Sequence, residues 1–149
     1  MGTLWTLDRM ASLARSGINA ASPLALGLCA PVRSDGTSNR VGRIDSFLRN
    51  NFRYRAERDE VLRTVDFMVN DYVTTGEMEG DCDDMTIMAS ALLLGCGIQP
   101  RMTAIVATPG GEYDHVFAEA WDGTEWVPVD PTVPYGTVYQ HFGLMVQPV

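Results

Sequence analysis

The sequence predicts an α+β fold, with helices first and a small antiparallel sheet after them. Three observations predict it. Apolar residues recur at helical spacing early in the chain, as at Val41, Ile44, Phe47 and Leu48. A longer apolar run, Cys82 to Leu94, opens on Asp83 and Asp84 and ends against Gly95 and Gly97, the acid-first, glycine-last pattern of a helix. Beyond it, extended runs are separated by turn residues, and Asp122-Gly123 between two of them is a hairpin signal.

Taken in order, Thr3 to Arg15 is expected to form a short helix with Leu4, Leu7 and Leu13 on one side. Ala21 to Asn39, rich in Pro, Gly and Ser, is expected to be loop. The stripe from Val41 ends near Asn50-Asn51, and Phe52 to Arg55 follows as a short extended piece. Val61, Val65, Met68 and Tyr72 mark another helix, with Asp59 as its expected cap. Thr74 to Asp81 is expected to be polar loop, leading into the helix from Cys82. Strands are expected at Arg101 to Ala107, His115 to Trp121 and Glu125 to Asp130.

At 149 residues the chain fits one domain, with residues 1–37 as a helix-and-loop arm and residues 38–149 as the core. The net charge of −8 hides an asymmetry: residues 1–63 carry ten Arg against six acids, residues 64–149 one Arg against thirteen. That acidity disfavours a nucleic-acid partner. The uncharged stretch from Ser16 to Val32 contains Pro23, Gly27 and Pro31, so no membrane span or membrane partner is expected. Three cysteines, Cys29, Cys82 and Cys96, are an odd number at no metal-binding spacing. With no leader at the start, a reducing cytoplasm is expected, with Cys29 and Cys96 as inert small hydrophobes.

A two-residue turn at Asp122-Gly123 would pair Trp121 with Thr124 and, counting onward, His115 with Asp130 on one face. A carboxylate there would fix the imidazole tautomer and leave the other nitrogen free as a base. Cys82, at the start of its helix, is placed where thiolates are favoured, although Asp81, Asp83 and Asp84 oppose a negative sulfur. On this reading Cys82 alkylates faster than Cys29 and Cys96.

Gly80-Asp81-Cys82-Asp83-Asp84, Gly97-Ile98-Gln99-Pro100-Arg101, His115 to Ala120, and Trp126-Val127-Pro128-Val129-Asp130-Pro131-Thr132 together resemble the transglutaminase-like superfamily. The motifs stand in order over about fifty residues, and the resemblance does not reach residues 1–37. It implies a papain-like core with the nucleophile helix packed on the sheet. It also implies a thioester acyl-enzyme, with Cys82 as nucleophile, His115 as base and acid, and Asp130 as the orienting residue. The compact form is similar to versions carried by bacteria and phages.

Less marked candidates complete the site. Tyr54 or Tyr72 would supply a second oxyanion donor beside the Cys82 N–H. Asp84 would brace the loop, Glu119 shares the His115 face by alternation, and Trp121 and Trp126 would pack or line a substrate groove. The expected function is a peptidase or amidase acting on a protein or peptide, without cofactor. Alternatives are a transglutaminase-type acyltransferase, an inactive binding or assembly module, or a metal site at Asp81, Cys82, Asp84 and His115, whose spacing is unlike that of zinc sites. Substrate and oligomeric state stay open.

Overall fold

The computed structural model describes residues 4–29, 36–56 and 61–149. Helices α1 (Leu4–Ser16), α2 (Ile18–Cys29) and α3 (Thr37–Asn51) come first, followed by strand β1 (Phe52–Tyr54) and helix α4 (Val65–Thr75). Strand β2 (Met78–Gly80) leads into helix α5 (Cys82–Gly95). Strands β3 (Pro100–Ile105), β4 (His115–Trp121), β5 (Trp126–Val129) and β6 (Leu144–Pro148) form an antiparallel sheet in the order β5-β4-β3-β6. The α+β expectation holds, helices preceding the sheet.

Helix α5 is the hub. Ile87, Met88, Ala91, Leu92 and Leu93 are fully buried, and the core around them draws on Leu7 and Met10 of α1, Ala21 and Ala25 of α2, Ile44 and Leu48 of α3, and Met102 and Ala118 of the sheet. Its start is held by a reciprocal cap. Asp81 accepts from the N–H groups of Asp83 and Asp84, while Asp84 Oδ2 accepts from the Asp81 N–H at 3.1 Å. All three bonds satisfy donors that a helix start leaves unpaired.

Several expectations need correction. Ala21 to Cys29 is helix, not loop, despite Pro23 inside α2. The lost hydrogen bond is offset by packing: Ala21 and Ala25 are fully buried, and Ala25 lies against Gly95. The end of the expected loop, Thr37 to Asn39, belongs to α3, and residues 30–35 lie outside the described ones. Thr64, not Asp59, caps α4, its side chain accepting from Phe67 N–H; Asp59 lies outside the described residues. Within the expected polar loop, Met78–Gly80 pairs in parallel with β1, setting Tyr54 opposite Gly80. Strand β6 carries too weak a pattern to be expected and is an edge partner of β3.

Cys29 and Cys96 form a disulfide that joins the end of α2 to the end of α5, 67 residues apart in sequence. The reading of both as inert thiols is corrected, and Cys82 is left as the free cysteine. In the chain-entropy view a closed loop of that length contributes on the order of 4 kcal/mol. The ground for expecting a reducing compartment is thereby gone, and no compartment is assigned. No helix among the described residues is long and apolar enough to cross a membrane.

Gly80 is constrained by the cap. A Cβ added there would lie 2.5 Å from Asp84 Oδ2 and 2.6 Å from Asp84 Cβ. Gly80→Ala should therefore displace Asp84 and lower unfolding free energy by about 1–3 kcal/mol, read as a reduced urea midpoint with unchanged slope.

Candidate active site

Asp122, Gly123, Thr124 and Glu125 all lie in the β4–β5 loop, because Trp121 pairs with Trp126 and Ala118 with Val129. The expected two-residue turn is corrected: Asp122 Oδ1 accepts from the N–H groups of Thr124 and Glu125 and builds a longer loop. The register moves by two residues. Because side chains alternate with a period of two, such a shift keeps every residue on its expected face. His115 and Asp130 become diagonal neighbours and still meet, with His115 Nε2 donating to Asp130 Oδ2 at 2.7 Å.

Asp130 follows directly after β5 and is almost fully buried. Its carboxylate collects four donors. Oδ2 accepts from His115 Nε2 and from the Tyr139 hydroxyl; Oδ1 accepts from the backbone N–H and the hydroxyl of Thr132. Burial pushes this carboxyl up, but the hydrogen bonds from His115, Thr132 and Tyr139 outweigh it and hold it below the ordinary aspartate value. An ionised Asp130 makes Nε2 the protonated nitrogen of neutral His115 and leaves Nδ1 with the lone pair. The Tyr139 ring stacks on Phe117 with centroids 4.1 Å apart, and Phe117 stacks in turn on His115 at 5.8 Å. Arg49 of α3 donates to the carbonyls of Asp130 and Val133 and anchors the loop that carries these groups.

Cys82 is the first residue of α5, so its backbone N–H lies outside the helix's own hydrogen-bond ladder. One turn on, the Thr86 hydroxyl is 2.7 Å from the Cys82 carbonyl and 3.3 Å from that of Val116, tying the helix tip to β4 beside His115. Burial, then Asp83, push the Cys82 thiol up to about 12; a backbone hydrogen bond from Val116 acts against this, and Asp81 and Asp130 add to it. Cys82 and His115 line one open cleft of about 630 Å³, with Tyr54, Met85, Ile105, Asp114 and Tyr139 in its walls.

The remaining candidates divide. Tyr54 reaches the cleft, and burial together with Cys82, Asp81 and Asp83 keeps its hydroxyl protonated above the usual tyrosine range. Tyr72 packs edge-on against Phe47 and does not line the cleft. Asp84 is fully buried and accepts from both the backbone and the guanidinium of Arg63 as well as from Asp81. Glu119 accepts from Arg101 at 2.8 Å and from the Thr103 hydroxyl. Trp121 and Trp126 pack against each other at the hairpin end with their rings tilted, Arg101 lies over Trp126, and neither ring lines the cleft. Tyr139 is the group that sequence reasoning missed; it sits in an irregular loop with no periodicity to single it out. Among the described residues, no group of three or more His, Cys, Asp or Glu side chains is placed to hold a metal ion.

The family model described as the transglutaminase-like superfamily matches residues 27–131. No curated protein matches the sequence. Among solved structures, a candidate cysteine protease from Cytophaga hutchinsonii is similar with a TM-score of 0.58 and 22% identity. That alignment covers 77% of this chain but only 37% of that one, so the chain spans little more than a third of that protein. Legionella pneumophila LapG in its calcium-bound form is similar with a TM-score of 0.55 and 17% identity, covering 84% of this chain and 72% of LapG. These identities speak to the fold alone.

Proposed function

As the chain belongs to the transglutaminase-like superfamily, we propose that it is a cysteine hydrolase, a peptidase or amidase, using Cys82, His115 and Asp130. The observation that carries this reading is the 2.7 Å bond that ties His115, which lines the same cleft as the free thiol, to a buried, ionised Asp130.

The reaction follows from the proton inventory. His115 Nδ1 takes the thiol proton as Cys82 Sγ attacks the carbonyl carbon of an amide. The negative oxygen of the tetrahedral adduct is met by the Cys82 N–H at the helix start, with the Tyr54 hydroxyl as second donor. His115 returns its proton to the leaving nitrogen, the C–N bond breaks, and a thioester remains on Sγ. Water then attacks the thioester, giving a proton to His115, and the C–S bond breaks to release the acid and restore the thiol. Asp130 stays ionised and orients the ring throughout. An amine in place of water would give acyl transfer; the open cleft, with Tyr54 half exposed on its wall, favours water.

Calcium belongs to the description of one LapG structure. Here both Asp84 oxygens are engaged by Arg63 and the Asp81 N–H, and Asp81 Oδ1 holds the helix cap, so these carboxylates do not fit an ion-binding set. No step is routed through an ion.

Incubation with a peptide library followed by intact-protein mass spectrometry tests the reading. An acyl adduct should appear on Cys82 and decay with release of acid. A protein that forms no adduct and cleaves nothing, with the thiol intact, would leave only the inert binding module.

A further inference from the structure

The cleft has a charge as well as a shape. Its wall carries one carboxylate, Asp114, and no Arg, and the chain has no Lys. Asp114 directly precedes His115, and its position is set from both sides. Its N–H donates to the Ile105 carbonyl at 3.1 Å, and its Oδ1 accepts from the Ala107 N–H at 3.0 Å. Oδ2 has no hydrogen bond or ion pair among the described residues, and the residue is exposed. Beside it, Met85, Ile105 and Val138 give the cleft an apolar wall.

Among the described residues, no Arg lines the cleft to cancel this charge. Residues 64–149 hold a single Arg, Arg101, and it is committed to Glu119 and Trp126. On β1 and just after it, Arg53 and Arg55 face Glu77 and Glu79. Asp81 and Asp83 also act on the cleft, since both push the Cys82 thiol and the Tyr54 hydroxyl up, towards their protonated forms. A carboxylate fixed through one oxygen, open at the other and flanked by aliphatic side chains is complementary to a cation on an apolar stem, the chemistry of Lys and Arg.

We propose that the cleft selects polypeptide segments bearing a Lys or Arg next to the reacting carbonyl, with the cationic head on Asp114 and its methylene stem along Met85, Ile105 and Val138. This deepens the reading of the site as a hydrolase and rests on it for the identity of the scissile bond. The excess of acid around the cleft adds long-range attraction for such segments and repels acidic ones.

The test is binding, so it does not depend on turnover. Labelled peptides that differ only in Arg, Gln or Glu at one position are titrated by fluorescence anisotropy into full-length Cys82→Ala protein. At about 0.01 M salt, where charges act over roughly 30 Å, the Arg peptide should bind at least about tenfold more tightly than the Glu peptide. The gap should shrink severalfold near 1 M salt, and Asp114→Asn should bring the Arg peptide to the affinity of the Gln peptide while thermal unfolding stays cooperative. Equal affinities for the three peptides, or an Arg preference that survives Asp114→Asn, would overturn the proposal. Turnover by wild-type protein is scored separately: cleavage without charge preference sinks this inference alone, and charge-selective binding without any cleavage or adduct sinks the hydrolase reading alone.

Discussion

His115→Ala should lower kcat/KM by roughly 10³–10⁴-fold at neutral pH, the scale on which linked nucleophile and base residues act. The reason lies in the thiol. With burial and Asp83 pushing Cys82 to about 12, only about one sulfur in 10⁵ is ionised at neutral pH without help. The proposed reaction then depends on an acceptor for that proton at the moment of attack, and His115 shares the cleft with Cys82. The variant should regain rate as pH rises towards the thiol value, because hydroxide then makes the nucleophile, whereas wild-type activity should gain far less over that range because His115 already takes the proton. A profile of kcat/KM against pH for both proteins checks this. The same activity and profile in the variant would remove His115 from the mechanism. Since Cys29 and Cys96 are bonded to each other, iodoacetamide uptake reports Cys82 alone, and the labelling comparison among three thiols no longer applies.

Asp130→Asn should be costly twice over. Four donors point at this carboxylate, from His115, Tyr139 and both groups of Thr132. An amide has one acceptor oxygen. If that oxygen serves Thr132, whose backbone N–H cannot turn away, the NH₂ group faces His115 and imposes the wrong tautomer. If it serves His115 and Tyr139, the Thr132 N–H is left facing a donor in a nearly buried site. We expect kcat/KM to fall by roughly 10²–10⁴-fold and stability by about 2–3 kcal/mol, the scale of a buried unpaired polar group. Acid denaturation supplies an independent reading. Asp130 titrates below the ordinary aspartate value in the folded protein, so its contribution is complete above about pH 4 and is lost as pH falls through the depressed folded value. The stability of the Asn variant should therefore fall less steeply over that acid window. An unchanged urea midpoint with normal turnover would show that the four hydrogen bonds do not matter.

Much of the site was legible because it depends on local chemistry or on parity. The acids of the first turn, Asp83 and Asp84, and the glycines that close α5 act within a few residues, so the helix that presents Cys82 could be read directly. The meeting of His115 and Asp130 was expected from a two-residue turn that does not exist. It survived because the true loop is longer by an even number of residues; an odd difference would have sent Asp130 to the opposite face. Tyr72, Trp121 and Trp126 were reasonable aromatic candidates, yet an aromatic ring serves equally well in packing, and they are used for that.

The sequence by itself determined that helices precede the sheet, which helix opens on Cys82, and which residues make up the proposed Cys-His-Asp set, since these rest on period, charge order and spacing along the chain. Tertiary structure alone decided which residues surround that set. It turned Ala21 to Cys29 into a helix by burying its alanines, joined Cys29 to Cys96 across 67 residues, and carried Tyr139 onto Asp130 from an irregular loop. Such contacts have no signature along the chain, because their free energy is gained only when distant segments have already packed.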